Sequence, residues 1–234
     1  MSTIELRGAK LVEIPYLTSQ LEDMHKSVLI VGERLGAEGV SETVKSLGFS
    51  DVTTTDILPV GSGSWLETNQ GSWKHIVGDF VEFDESLKYD YIVSVSVFEH
   101  FGFWFAGNRM AGQLTHDDQC RWNHDIKGIL KAGRLLKDQD SKLIITLPAG
   151  PFMNYEASGE PFQRSYDWRR QEIVKNSLTQ QGFSVDTEKF YHTNNFHAWN
   201  EVSTDINHPR HYGGYCADSP NVVWALTIKK HDIQ

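Results

Sequence analysis

Two stretches of this sequence concentrate the residue types that chemistry requires. In the first, the apolar run Val28-Leu-Ile-Val31 ends on Gly32, and Asp56 follows 24 positions later, at the end of a second run rich in β-branched residues. Glycine allows both a tight turn and close approach of a ligand to the backbone. A carboxylate about 20 positions further on can accept the hydroxyls of a ribose. Gly32, Glu33, Arg34 and Gly36, together with Asp56 and Ile57, are therefore candidates for holding an adenosine-bearing ligand. In the second stretch, Ser94-Val-Ser-Val-Phe-Glu-His100 closes another apolar run. An imidazole, with an ordinary pKa of about 6.5, suits proton abstraction near neutrality. His100 is thus the candidate general base and Glu99 its neighbour in the catalytic pair; both could instead cap the loop or orient a bound cofactor. Asp79 and Phe80 follow a third strand-like run at Gly78, and with Ser96 and Val97 they complete the set.

These residues need elements to position them. The hydrophobic pattern predicts strands at 27–31, 51–57, 74–77, 89–97, 142–147, 183–192 and 222–230. Helices are expected at 36–47 (Val40, Val44 and Leu47 on one face), at 115–136 (Trp122, Ile126, Ile129, Leu130 and Gly133 on one face) and at 167–181, with Ile173, Val174 and Leu178 inward. Strands alternating with helices imply a doubly wound, mostly parallel α/β sheet. Ligands of such sheets bind beyond the carboxyl ends of the strands, at the topological switch point. All of the residues named above would fall on that rim. Residues 1–26 are expected to be an N-terminal extension, with Ile14, Leu17 and Leu21 on a short helix at the domain edge. Residues 27–234 form one domain, with 59–73, 101–114, 150–166 and 193–220 as loops on the substrate side.

Composition narrows the partners. A formal charge of −9 over 234 residues argues against a broad nucleic-acid-binding face. Cys120 and Cys216 are too few for a disulfide scaffold and are read as reduced thiols of a cytoplasmic protein. No apolar run approaches the ~18 residues of a membrane span, so no membrane association is expected. His116 with Asp117 and Asp118 could form part of a metal site but is read by preference as a helix cap, and His124, on the helix 115–136, could simply face solvent. His192, His197, His208 and His211, with Glu201 and Asp205, could hold a divalent ion, but their spacing matches no tight metal motif, and a polar loop over the pocket is the preferred reading. Phe98, Phe101, Phe103, Trp104 and Phe105, with Trp65, Trp73, Tyr155, Trp168 and Trp199, suggest a rim on which planar or carbohydrate acceptors stack. The segment 101–105 is too apolar to face solvent, which points to lid packing or a homo-oligomer interface.

The order of these features resembles that of the class I S-adenosylmethionine-dependent methyltransferases: glycine turn, acid after the second strand, Gly78-Asp79 after the third, Ser-Val-Phe-Glu-His100 after the fourth, and a closing strand pair at 183–192 and 222–230. The likeness extends over about 27–230. A narrower likeness is to a methyltransferase-like domain of unknown function, carried by Asp90-Tyr-Ile-Val-Ser-Val-Ser-Val-Phe-Glu-His-Phe-Gly102 and Leu147-Pro-Ala-Gly150. The resemblance implies a seven-stranded Rossmann-like sheet with a C-terminal antiparallel strand. It also implies S-adenosylmethionine as cofactor and O- or N-methylation of a small molecule or glycan. The pattern departs from the family at Ile30, where an acid is usual, and at Arg34, where a second glycine is usual. Arg34 could pair with the methionine carboxylate or fill the pocket, and Glu33 could meet the methionine ammonium. Two other readings stand beside this one: a non-catalytic binding protein with a degenerate cofactor site, and a nicotinamide oxidoreductase. The latter lacks a Tyr-x3-Lys pair, since Tyr166 is followed by Arg170.

Overall fold

Val28–Val31 carries no polar side chain, and all four residues are buried, as a strand covered on both faces requires. It forms β1 at the centre of the sheet. In the computed structural model, the described residues are 8–32, 39–57, 73–103, 123–151, 154–157, 160–193, 198–202 and 222–231. The helices are α1 (Lys10–Gln20), α2 (Val40–Ser46), α3 (His124–Leu135) and α4 (Trp168–Gln180). The strands after β1 are β2 (Val52–Asp56), β3 (Lys74–Val77), β4 (Tyr91–Val95), β5 (Lys142–Pro148), β6 (Asn154–Ala157), β7 (Glu160–Arg164), β8 (Phe183–Thr193), β9 (Trp199–Val202) and β10 (Val222–Lys230).

The main sheet has eight strands in the order β3-β2-β1-β4-β5-β10-β8-β9. β1 pairs in parallel with β2 and β4, β2 with β3, and β4 with β5, whereas β10 runs antiparallel to β5 and β8. The strand order reverses between β1 and β4, which sets the switch point there. Side chains alternate between two layers. Leu29, Val31, Ile92, Leu143 and Ile145 join Ile129 and Leu135 of α3 and Val174 and Leu178 of α4. Val28, Ile30, Val93 and Ile144 join Ile14 and Leu17 of α1 and Val40 and Val44 of α2.

Several expectations are corrected. The sheet has an eighth strand rather than seven, because Trp199–Val202, expected within a loop, pairs antiparallel with β8. Part of the expected loop 150–166 is the β6–β7 hairpin. α3 starts at His124, with 115–122 outside the described residues. Ile173 is 50% exposed, since the buried positions of α4 are Arg170, Gln171, Val174 and Leu178. Two buried polar residues set the phase of that helix, which apolar spacing alone could not show. Within the expected N-terminal extension, α1 packs on β5 and β10 rather than at the sheet edge. Its Tyr16 hydroxyl lies 2.9 Å from Thr227 Oγ1 on β10.

At the switch point the two halves of the sheet meet through Gly32, whose φ is +78°. A Cβ there would lie 2.2 Å from Val97 Cγ1. Gly32→Ala should therefore combine backbone strain with overpacking and lower stability by about 1–3 kcal/mol. Urea denaturation would reveal this as a lower midpoint at unchanged slope. An unchanged midpoint would mean that Val97 yields freely.

Candidate active site

Parallel pairing brings the ends of β1, β2, β3 and β4 to one edge. Gly32 N–H donates to the Thr55 carbonyl at 2.8 Å, and Gly78 N–H donates to the Asp56 carbonyl at 3.0 Å. These bonds fix where the first and third turns leave the sheet. Asp56, the last residue of β2, is buried, and Ile57 beside it is half-buried. Asp79 caps a one-turn 3₁₀ helix, Phe80–Glu82, by accepting from Val81 N–H at 3.0 Å. Its other oxygen lies 3.5 Å from Nε2 of His124. His124 is thus buried at the rim, not solvent-facing, and the first turn of α3 supplies it. Phe80 is a core residue, packed among Phe83, Phe98 and Phe101. Glu33, Arg34 and Gly36 lie outside the described residues.

The end of β4 has a less ordinary geometry. Ser96 adopts a φ of +53°, a conformation uncommon for residues other than glycine and costing on the order of 1–3 kcal/mol. Its hydroxyl donates to Oε1 of Glu13, a buried residue of α1. Thr146 Oγ1 of β5 donates to the same oxygen at 2.7 Å, and Lys10 Nζ lies 3.0 Å from Oε2. Ser96 N–H donates to the Thr146 carbonyl at 3.1 Å. The chain then turns directly into a second 3₁₀ helix, Phe98–His100. That turn drives Glu99 inward to 2% exposure, with Oε1 3.9 Å from Nε2 of His100. Glu99 Oε2 has no hydrogen-bond partner among the described residues. Burial pushes the Glu99 carboxyl up to about 8, and the charge of Glu13 adds to the effect, against Lys10 and Arg164. Near pH 7 Glu99 is therefore mostly neutral, an acid able to donate a hydrogen bond.

Beside this turn lies a cluster that sequence reasoning missed. Asp125 follows His124 on α3 and is fully buried. It accepts from Arg170 Nη2 at 2.6 Å, from Arg170 Nε at 3.1 Å and from the Tyr166 hydroxyl at 2.7 Å. Arg164 Nη1 lies 2.8 Å from Asp125 Oδ1. Burial and Asp125 raise the Tyr166 hydroxyl well above its usual range. Tyr166 and Arg170 are thus both engaged with one carboxylate, and this spacing does not form a reductase pair. The only sequence signal was a charged residue opening the amphipathic stretch of α3.

Among the described residues, most of the expected aromatic rim is internal. Phe98 and Phe101 pack together at 5.0 Å, and a Cβ on Gly128 would collide with Phe101. Phe103 stacks under Arg164, and Trp73 belongs to the α1–α2 layer, whereas Trp168 is exposed. Trp65, Trp104 and Phe105 lie outside the described residues, as do His116, His197, His208 and His211. Among the described residues no His, Cys, Asp or Glu cluster is arranged to hold a metal, and no helix is long and apolar enough to cross a membrane. A cleft of about 470 Å³ opens at the opposite end of the sheet, beside Tyr91 and Lys142. Its charges pair locally, Lys142 with Glu22 at 3.1 Å and Lys229 with Asp186 at 3.0 Å.

No protein-family model and no curated protein matches the sequence. Solved structures do. A 1,6-didemethyltoxoflavin-N1-methyltransferase of Burkholderia thailandensis, bound to 1,6-didemethyltoxoflavin and S-adenosylhomocysteine, superposes with a TM-score of 0.55 at 14% identity, covering 89% of this chain and 72% of that one. The fold is that of the class I S-adenosylmethionine-dependent methyltransferases. The N-methyltransferase NodS of Bradyrhizobium japonicum, in complex with S-adenosylhomocysteine, is similar with a TM-score of 0.51 at 13% identity, covering 95% and 91%. The glycopeptide N-methyltransferase MtfA, complexed with sinefungin, gives 0.52 at 10%, covering 92% and 91%. On this methyltransferase fold, β10 and β8 are the C-terminal antiparallel strands expected from the sequence, and β9 extends them.

The neutral state of Glu99 is testable. A carboxyl whose folded pKa lies above its unfolded value binds its proton more tightly in the native state. Its contribution to stability is full below about 4.3 and is lost as pH rises to about 8. The slope is at most about 1.4 kcal/mol per pH unit. Glu99→Gln should remove that component from urea-derived stability measured between pH 5 and 8. A variant that keeps the wild-type slope would show that Glu99 is ionised in the fold.

Proposed function

We propose that this protein transfers a methyl group from S-adenosylmethionine to an oxygen or nitrogen of a small-molecule or glycan acceptor. The observation that carries this reading is the pairing of Gly32 and Asp56 at the switch point of a methyltransferase fold. Gly32 presents backbone with no room for a side chain, and Asp56 places a buried carboxylate at the end of the neighbouring strand. Both features suit a ribose-bearing ligand. When bound, the cofactor supplies a methyl group activated by a sulfonium.

The chain's own residues would do the rest. Asp56 holds the ribose hydroxyls, Asp79 stands where the adenine amino group is expected, and Ser96 and Val97 line the end of β4. Glu33, Arg34 and Gly36 are assigned to the methionine end from the sequence alone. His100, at the outer end of the Phe98–His100 turn, takes the acceptor's proton, and Glu99 lies beneath it as a mostly neutral carboxyl, its Oε1 3.9 Å from His100 Nε2.

Calorimetric titration with S-adenosylhomocysteine tests the cofactor site. Binding to the wild-type protein is expected. Asp56→Ala should weaken it by about 1.5–3 kcal/mol, or roughly 10–150-fold, with no loss of fold by circular dichroism. Absence of heat from the folded wild-type protein would overturn the reading, and unchanged affinity in the variant would move the ribose contact elsewhere.

A further inference from the structure

Arg164 is a fully buried arginine whose hydrogen-bonding capacity is unused among the described residues. Its side chain has no solvent exposure, and Nε, Nη1 and Nη2 all lack a hydrogen-bond partner among the described residues, Nη1 being engaged by charge alone. Its anionic neighbour is Asp125, 2.8 Å from Nη1. Asp125 is also held by Arg170 and the Tyr166 hydroxyl, so one carboxylate is divided among three side chains. The Arg164 guanidinium lies over the Phe103 ring, 4.1 Å from its centroid. One face of the fork is therefore occupied by an aromatic ring and one nitrogen by Asp125. The edge that remains, Nε with Nη2, presents two parallel N–H groups, the geometry that takes a carboxylate in two hydrogen bonds. Buried guanidinium donors left without an acceptor are costly, so an edge of this kind calls for an anionic partner.

The position fits an acceptor site. β7, which ends on Arg164, packs against the Phe98–His100 turn. Arg164 acts electrostatically on Glu99, and Phe103 closes the same segment. We propose that Arg164 anchors a carboxylate of the acceptor, so that the substrate class is a small carboxylic acid whose reacting oxygen or nitrogen lies toward His100. This deepens the methyltransferase reading and rests on it for the identity of the reaction, although anchoring itself is separable from cofactor binding. Glu99 is the acid closest in role. It faces Glu13 and Lys10 of α1, Arg164 and Tyr166 from the β7 side, and His100 on its own turn. In its neutral form it leaves the free edge of Arg164 to the ligand. Once ionised, it competes.

The test uses benzoate as the probe and benzamide as its neutral counterpart, titrated calorimetrically into the full chain with and without S-adenosylhomocysteine. Benzoate should bind at least ~10-fold more tightly than benzamide at pH 7. Arg164→Lys, which keeps the charge and loses the planar fork, should weaken benzoate at least ~10-fold while S-adenosylhomocysteine binding stays unchanged. Because a change at a buried arginine can impair folding, the wild-type protein supplies a second measurement: benzoate affinity should fall as pH rises through about 8, where Glu99 ionises. Equal binding of benzoate and benzamide, or a benzoate affinity indifferent to both Arg164→Lys and pH, overturns the proposal. Heat from S-adenosylhomocysteine without selection for benzoate overturns the anchor and leaves the methyltransferase reading standing. Selective, Arg164-dependent benzoate binding without cofactor heat does the reverse.

Discussion

The rim of this protein is organised around one buried carboxylate. Glu13 carries its charge from α1 into the space beneath β4 and β5, where isolated ionised groups are costly. Ser96 and Thr146 donate to its Oε1, and Lys10 pairs with Oε2 by charge. Those contacts hold Ser96 in its left-handed conformation, and the chain cannot leave β4 in an extended path. It folds at once into the Phe98–His100 turn, which carries Glu99 inside and leaves His100 nearer the surface. The same charge discourages ionisation of Glu99. Through Glu13, α1 therefore buttresses the path of the Phe98–His100 turn and adds to the burial that keeps Glu99 neutral.

The first turn of α3 sends two buried polar residues to different parts of the rim. His124 reaches Asp79 on one side, and Asp125, the next residue, gathers Tyr166, Arg164 and Arg170 on the other. Consecutive helical residues diverge by roughly 100°, so one helix start can anchor two separate polar clusters. Gly128, one turn further along, leaves room for Phe98 and Phe101. The helix is thus held close against the strand-four turn, and the β6–β7 hairpin delivers Arg164 to the gap that remains.

A good part of this arrangement was legible in the residues. The strand at 28–31 could be read because a four-residue apolar run before a glycine has few alternatives. Asp56 was legible because it ends a run rich in β-branched residues, and Asp79 because it follows a glycine after a third strand-like segment. Glu99 was named as a candidate, but its neutral state was not legible, because that rests first on burial in the folded chain and then on the charge of Glu13, distant in sequence. β9 escaped because Trp199–Val202 is short and half-exposed, and its pairing partner β8 supplies the order. Ile173 was assigned inward because apolar spacing ignores Arg170 and Gln171, whose burial rests on hydrogen bonds to Asp125 and to the Tyr166 carbonyl.

The sequence by itself determined which runs become strands, where glycines and acids punctuate them, and hence a doubly wound sheet with a ligand rim. Those features follow from local periodicity and residue type. Only the tertiary structure decided which polar groups meet. Glu13 with Ser96 and Thr146, His124 with Asp79, and Asp125 with Arg164, Tyr166 and Arg170 are joined across long stretches of chain. Buried polar contacts of that kind leave no period in the sequence: their partners are chosen by the need to satisfy each desolvated group wherever packing happens to place it.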